Sequence, residues 1–263
     1  MINTLSSFEI ENYHYTTSYI MLFVILLLSA VGYFLNSNEI HKSKINFISK
    51  ILIYFCIIQE VLDHLNRFIW DSKYNVSWQR DLPIHFCHIA FYFSLVAIYW
   101  HLKNGHQNEK SHLHNFMFSS AFLLGLSGAL QGILTPDFGQ IYNLLGVITA
   151  HLQHSLIILN VFWLLFAYGM KLNFKDILNT YLFINLIIPI AVIINKVLGV
   201  NSEGLFANYL YVSELPDVNN PIVNILTNYE FPYYLLFGQP ILILYLLVLY
   251  FPFFIIKKIK NDY

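Results

Sequence analysis

The sequence predicts an all-α integral membrane protein, a bundle of seven transmembrane helices with its N-terminus outside and its C-terminus in the cytoplasm. Of its 263 residues, 57% are hydrophobic and only 11% are charged, whereas about 25% are charged in a typical soluble domain. Apolar runs of about 20 residues, the length that crosses a bilayer, recur along the chain. The net charge of −1 and the absence of a basic stripe argue against a nucleic-acid partner.

The seven apolar runs are residues 18–36, 48–70, 82–102, 115–134, 141–168, 176–199 and 234–256. No basic stretch precedes the first run and no small-residue cleavage pattern follows it, so we interpret it as an uncleaved span and not a signal peptide. Because the spans fill most of the chain, we expect a single membrane domain over residues 1–263.

The distribution of basic residues predicts the orientation. Ten lysines follow the first, third, fifth and seventh spans, namely Lys42, Lys44, Lys50, Lys103, Lys110, Lys171, Lys175, Lys257, Lys258 and Lys260. The other side has only Arg67, Lys73, Arg80 and the borderline Lys196. Since cytoplasmic loops are enriched in Lys and Arg, the lysine-rich side is predicted to be cytoplasmic. We therefore expect a multi-pass protein of the cell membrane.

The long outer loop, residues 201–232, separates the last two spans. Loops of such length are uncommon without a function. Its apolar and aromatic residues, among them Leu205, Phe206 and Tyr211, argue against a solvated linker. We expect either a lid or gate over a site, or a surface segment that only seals the outer face.

The second span has a polar face. Cys56, Glu60, Asp63, His64 and Arg67 recur at helical spacing and are expected to share one side of the helix. Asp63 and Glu60 can pair with Arg67, which would satisfy charges that are costly in an apolar bundle. The face has two interpretations, a functional site and an interhelical network that only holds the spans together.

The third span begins with Pro83, which suits the first turn of a helix. His85 and His88 then share a face, and Cys87 lies at the edge of that face. A cysteine in an apolar helix is most often a small packing residue. The neighbouring histidines favour the alternative, a nucleophilic thiol.

The fourth and fifth spans add further polar groups. Gln131 lies near the end of the fourth span and Asp137 follows in the turn, whereas His151 and His154 lie three residues apart in the fifth. Ionisable residues at membrane depth are costly and mark functional sites by default. With the predicted orientation, all these groups lie in the outer half of the bundle.

Four short segments carry a family resemblance: Leu82-Pro83-Ile84-His85-Phe86-Cys87, Leu134-Thr135-Pro136-Asp137, His154-Ser155-Leu156-Ile157 and Asn208-Tyr209-Leu210-Tyr211. They resemble the ordered landmarks of the YwaF-like bacterial integral membrane proteins, and more weakly those of eukaryotic transmembrane protein 164, an acyltransferase that acts on ether lysophospholipids. In the latter, a Cys-His dipeptide and a histidine after a glutamine carry the activity. The matching residues are Cys87-His88 and Gln153-His154. YwaF-like proteins commonly have another residue at the position of His88.

The resemblance implies a bacterial, membrane-embedded acyltransferase without a cofactor. Cys87 would attack a phospholipid ester to form a thioester, with His154 as general base. The partners would be a membrane phospholipid and an acyl acceptor, either a lysophospholipid or a lipoprotein. The residues expected to bind substrate are Glu60, His64, Arg67, His85, His88, Gln131, Asp137, His151, Asn208 and Tyr209. The oxyanion donor is sought among His85, His88, Asn208 and Tyr209.

Two other classes of function remain open. In a metal-dependent lipid hydrolase, zinc would be held by several of His64, His85, His88, His151, His154 and Glu60. In a carrier or receptor without catalysis, the polar face of the second span would line a substrate path. A thiol–disulfide role for Cys56 and Cys87 is disfavoured because neither lies in a CxxC motif.

Overall fold

The computed structural model describes residues 5–37, 41–104, 111–136, 141–216 and 221–261, apart from the side chains of Ile222, Lys260 and Asn261. These residues form eight α-helices and no β-strand. The helices are α1 Ser7–Asn36, α2 Lys42–Leu65, α3 Phe86–Asn104, α4 His112–Leu134, α5 Leu144–Phe166, α6 Phe174–Leu198, α7 Pro221–Leu226 and α8 Tyr233–Asn261. A π-helical turn, Asn66–Trp70, continues α2. The all-α prediction is confirmed.

Within the described ranges, six helices are long and apolar enough to cross a membrane: α1, α2, α4, α5, α6 and α8. The prediction of a multi-pass membrane protein is therefore confirmed. α3 has 19 residues but is not one of the six, because His88, His101 and Lys103 lower its hydropathy. The seventh span, the outward N-terminus and the single domain stay predictions.

The chain folds into two compact units. The first unit consists of Met1–Val76 and Ile89–Met170, and the second of Ser77–His88 and Lys171–Tyr263. The boundary falls inside α3, whose first three residues belong to the second unit.

α5 is the central helix of the first unit and packs against α1, α2 and α4. Residues three or four apart share a helix face, which gathers one set of its polar side chains toward α2, while two histidines on the opposite side meet different helices. Thr149, Gln153, Asn160 and Trp163 face α2; His151 faces α1; His154 faces α4. The neighbouring histidines in the sequence therefore lie in different environments.

A ladder of polar contacts joins α2 to α5. Its pairs are Ser49–Trp163 at 2.8 Å, Cys56–Asn160 at 3.5 Å, Glu60–Gln153 at 3.4 Å and Asp63–Thr149 at 2.8 Å. The residue numbers rise along α2 as they fall along α5, so the two helices are antiparallel. Interhelical hydrogen bonds in membrane bundles contribute about 0.6–2 kcal/mol each. Four such pairs fix the register in which α5 presents its histidines.

The start of α5 is fixed by Asn143. Its side-chain oxygen accepts a 2.8 Å hydrogen bond from the backbone N–H of Gly146, which satisfies one of the donors left open in the first turn. Its side-chain N–H group donates to the Asp71 carboxylate at 2.9 Å, just beyond the π-helical turn. The cap therefore ties the end of α2 to the beginning of α5.

In the second unit, α6 packs against α8 and against a short 3₁₀ turn, Tyr209–Tyr211. α6 begins with a capping box in which Asn173 and Asp176 exchange backbone and side-chain hydrogen bonds. The short helix α7 packs on α8. The 3₁₀ turn lies within the predicted outer loop, so part of that loop is packed onto a helix of its own unit.

Candidate functional site

His154 has a defined proton position. Its Nδ1 lies 2.9 Å from the carbonyl oxygen of Ala150, one turn earlier on α5. A carbonyl oxygen can only accept, so Nδ1 carries the proton and, in the neutral ring, Nε2 carries the lone pair. Among the described residues no hydrogen bond is made at Nε2. The ring is therefore oriented by its own helix and leaves a basic nitrogen available.

His151 differs from His154 in the use of its ring nitrogens. The Ser18 hydroxyl donates its only proton to the carbonyl of His14 at 2.9 Å, so it accepts from Nε2 of His151 at 2.6 Å. Ser155 then donates to Nδ1 at 3.0 Å. Both nitrogens of this buried ring are thus bound to serines, and the residue joins α1 to α5. Its predicted contact with substrate stays a prediction.

The polar face of α2 forms two separate networks. Asp63 pairs with Arg67 at 2.8 Å and accepts a hydrogen bond from Thr149. The Glu60 carboxylate is bound instead by the Tyr92 hydroxyl at 2.7 Å and by the Gln153 amide. The predicted pairing of Arg67 is therefore made with Asp63.

His64 does not share the buried face of α2. Its side chain is exposed, its Nδ1 donates to the carbonyl of Glu60 at 2.8 Å, and its ring stacks on Phe68. Glu60, His64 and Phe68 line an open groove of about 240 Å³ on this helix. The five positions predicted to share one face thus divide between a buried side and this groove.

Cys87 is the second residue of α3 and is half-buried. The prediction that Pro83 opens the helix is wrong, because α3 begins at Phe86. The backbone N–H of Leu82 is bound by the Tyr209 hydroxyl at 2.9 Å, and the N–H of Ile84 turns back to the Leu82 carbonyl. The segment before α3 is therefore non-helical and is bonded to Tyr209.

His85 lies just before α3 in an aromatic group of the second unit. Its ring centroid is 5.3 Å from that of Tyr209, 5.5 Å from Tyr211 and 6.2 Å from His88. The predicted residues His85, His88 and Tyr209 are therefore brought together within one unit, to which Cys87 also belongs.

The side chains of Tyr209 and Asn208 form hydrogen bonds with backbone groups of the second unit. The Tyr209 hydroxyl donates to the Trp78 carbonyl at 2.6 Å and accepts from Leu82, and burial raises the pKa of this phenol above its ordinary value. The Asn208 oxygen accepts the N–H groups of Ser213 and Glu214, and its side-chain N–H group donates to the Glu214 carbonyl. Both side chains thus organise the loop, and the Tyr209 hydroxyl proton is donated within the protein.

Three residues of these networks were missed from the sequence. Asn195 of α6 binds the backbone of Tyr209, and its position as an amide in an apolar helix was a usable signal. Tyr92 is one of 19 tyrosines in the chain, and nothing in the pattern distinguishes it. Gly132 packs against the ring of His154, a contact that depends on how α4 meets α5.

Gln131 and Asp137 are the remaining residues predicted to bind substrate. Gln131 is half-buried near the end of α4. Asp137 lies outside the described residues. Within the described part of the chain, no three His, Cys, Asp or Glu side chains converge as metal ligands would.

Comparison with known proteins gives one family match. The model of the TMEM164 family matches residues 11–250. No curated protein matches the chain, and no solved structure does so.

Proposed function

Because the chain belongs to the TMEM164 family, we propose that it is a membrane-embedded acyltransferase. It would move a fatty acyl chain from a phospholipid to a lysophospholipid or to the amino terminus of a lipoprotein. The reaction class comes from the resemblance of Cys87-His88 and Gln153-His154 to the active residues of eukaryotic transmembrane protein 164. The YwaF-like relation would make the protein bacterial.

The proposed reaction has two acyl-transfer steps. The Cys87 sulfur attacks the ester carbonyl of the phospholipid, a C–S bond forms, and the C–O bond breaks to release a lysophospholipid that takes up the thiol proton. The hydroxyl or amino group of the acceptor then attacks the thioester. The acyl chain passes to the acceptor, and the acceptor's proton returns to the sulfur. No oxidant, reductant or metal is needed for this balance.

His154 would transfer the protons in both steps. The observation that carries this role is the position of its own proton: Nδ1–H donates to Ala150, so Nε2 holds a lone pair. A general base needs such a nitrogen. His151 has both nitrogens bound to serines, which favours His154 over its neighbour as the base.

The substrate-binding residues divide into two groups in this proposal. Asn208, Tyr209 and His151 would position the site, because Asn208 and Tyr209 organise the loop backbone and His151 joins α1 to α5. Glu60, His64, Arg67, His85, His88, Gln131 and Asp137 would contact the phospholipid or the acceptor. His64 and Glu60 line an open groove on α2, which supports contact with a lipid.

Intact mass spectrometry tests the thioester. The purified protein is incubated with phospholipid without reductant, as wild type and as Cys87→Ser, His154→Ala and Cys56→Ser variants. We expect a fatty-acyl mass increment that hydroxylamine removes in wild type and in Cys56→Ser. The latter is the matched control, since Cys56 is fully buried beside Asn160. Cys87→Ser should lack the labile adduct.

Transfer of a labelled acyl chain between lipids gives the second readout. Removing a general base slows a reaction by about 10²–10⁴-fold, so we expect a loss of that size in His154→Ala. Full transfer by Cys87→Ser would overturn the thioester mechanism. If His154→Ala transfers acyl chains at the wild-type rate while Cys87→Ser is inactive, the thioester mechanism is retained and His154 is not the general base.

A further inference from the structure

Resting on the proposed function, we infer that Gly132 of α4 is a positioning residue, whose missing side chain forms the seat for the imidazole of His154. A Cβ added at Gly132 would lie 2.6 Å from Nε2, 2.7 Å from Cδ2 and 3.1 Å from Cε1 of that ring. Cβ atoms in proteins do not approach other atoms so closely. Only glycine at this position therefore leaves the ring where it is.

The three distances also show which side of the ring Gly132 covers. A group in the ring plane ahead of Nε2 would be equally far from Cδ2 and Cε1, and much farther from both than from Nε2. The added Cβ would instead be close to all three atoms. Gly132 thus lies against the face of the imidazole and leaves the in-plane lone pair of Nε2 uncovered.

Two contacts together determine the ring orientation. The hydrogen bond from Nδ1 to the Ala150 carbonyl fixes one edge of the imidazole, and the backbone of Gly132 fixes one face. Since a base must meet its proton in the ring plane at Nε2, this arrangement sets the direction from which the proton can arrive. Gly132 acts through His154 and does not itself touch substrate.

Gly125 provides a matched control on the same helix. It lies seven residues before Gly132, and a Cβ there would be 2.5 Å from Cγ2 of Ile157 on α5. Small residues at such crossings let membrane helices approach closely. Gly125→Ala therefore introduces the same methyl group into the same pair of helices, but against an aliphatic side chain.

The first test measures the ring and needs no activity. Histidine side chains are labelled with ¹⁵N, and the His154 resonances are assigned by their loss in His154→Ala. We expect the His154 signals to shift in Gly132→Ala and to stay in place in Gly125→Ala. Unchanged His154 signals in Gly132→Ala would overturn the inference even if the protein proves to be an acyltransferase.

The second test separates the seat from general overpacking. We expect Gly132→Ala to lower the Tm of the detergent-solubilised protein in the wild-type background by at least about 3 °C. In a His154→Ala background, where the ring is gone, the same substitution should cost much less. Equal losses in both backgrounds would show that the methyl group clashes elsewhere and would overturn the inference. This cycle also applies if Gly132→Ala is poorly folded.

Activity distinguishes the inference from the function on which it rests. Misplacing a catalytic group by about 1 Å costs roughly a hundredfold in rate, so Gly132→Ala should lose about that factor in kcat for acyl transfer, with KM little changed. Gly125→Ala should retain most of its rate. If the wild-type protein transfers no acyl chain, the proposed function is wrong. The resonance and Tm tests still show whether Gly132 positions the His154 ring. If Gly132→Ala matches Gly125→Ala in kcat, the seat fails and the function stands.

Discussion

The side-chain amide of Asn195 binds both backbone polar groups of Tyr209. Its oxygen accepts the Tyr209 N–H at 2.9 Å, and its Nδ2 donates to the Tyr209 carbonyl at 3.2 Å and to the Ser213 hydroxyl at 3.0 Å. The next two residues, Leu210 and Tyr211, have positive φ angles of 58° and 53°. Such backbone angles are costly for residues other than glycine, so Asn195 stabilises a turn that its own sequence disfavours.

We expect Asn195→Leu to loosen this turn. The substitution leaves the N–H and carbonyl of Tyr209 without their side-chain partners, and an unsatisfied buried polar group costs about 1–3 kcal/mol. Hydrogen exchange measured by mass spectrometry should become faster in residues 201–216. The control is Asn185→Leu, because Asn185 lies on the same helix and donates only to the Tyr181 carbonyl one turn earlier. Equal exchange in the two variants would contradict this role of Asn195.

Tyr209→Phe should release the segment before α3. The hydroxyl is held between the Trp78 carbonyl and the Leu82 N–H, and phenylalanine keeps the ring but removes both contacts. We predict faster amide exchange at residues 78–85 and reduced acyl transfer, with the helical circular dichroism unchanged. Tyr229→Phe serves as the control, since the Tyr229 ring stacks on Phe237 and is partly exposed. Unaltered exchange at residues 78–85 would show that the hydroxyl does not hold this segment.

Asp63→Asn should destabilise the junction of α2 and α5. Asp63 is buried, forms an ion pair with Arg67 and accepts a hydrogen bond from Thr149. The Arg67 side chain is 27% exposed, so solvent moderates the effect of losing its partner. We expect a loss of about 1–3 kcal/mol in the free energy of unfolding, measured by denaturant titration. Glu11→Gln, at an exposed position of α1, should change it by less than about 0.5 kcal/mol.

A double-mutant cycle should show coupling between Ser18 and His151. The two side chains join α1 to α5 through a 2.6 Å hydrogen bond. Each of Ser18→Ala and His151→Ala should lower the unfolding free energy, and the double variant should lose less than the sum, by about 0.6–2 kcal/mol. Strictly additive losses would mean that the bond contributes nothing to holding the helices together.

Composition and the length of the apolar runs were sufficient to predict an all-α, multi-pass membrane protein. Helical spacing also predicted the Asp63–Arg67 pair, because residues four apart on a helix are neighbours. These features depend on local geometry, which the sequence records directly.

Other features depend on contacts between distant segments. Pro83 was predicted at the start of α3, but the helix begins at Phe86, and the segment before it is bonded to the Tyr209 hydroxyl, far along the chain. The separation of His151 from His154 follows from three partner helices around α5, which spacing alone does not identify. The seat at Gly132 has no sequence signal, since a glycine in a membrane helix is common.

The opposite proton positions of His151 and His154 make the two imidazoles different chemical groups. An asparagine side chain can place an N–H donor where Nδ1 of histidine has one, whereas a glutamine reaches the position of Nε2. Asparagine is therefore the closer mimic of the bond from His154 to Ala150, and glutamine of the bond from His151 to Ser18. The two histidines His151 and His154 therefore need different isosteric replacements.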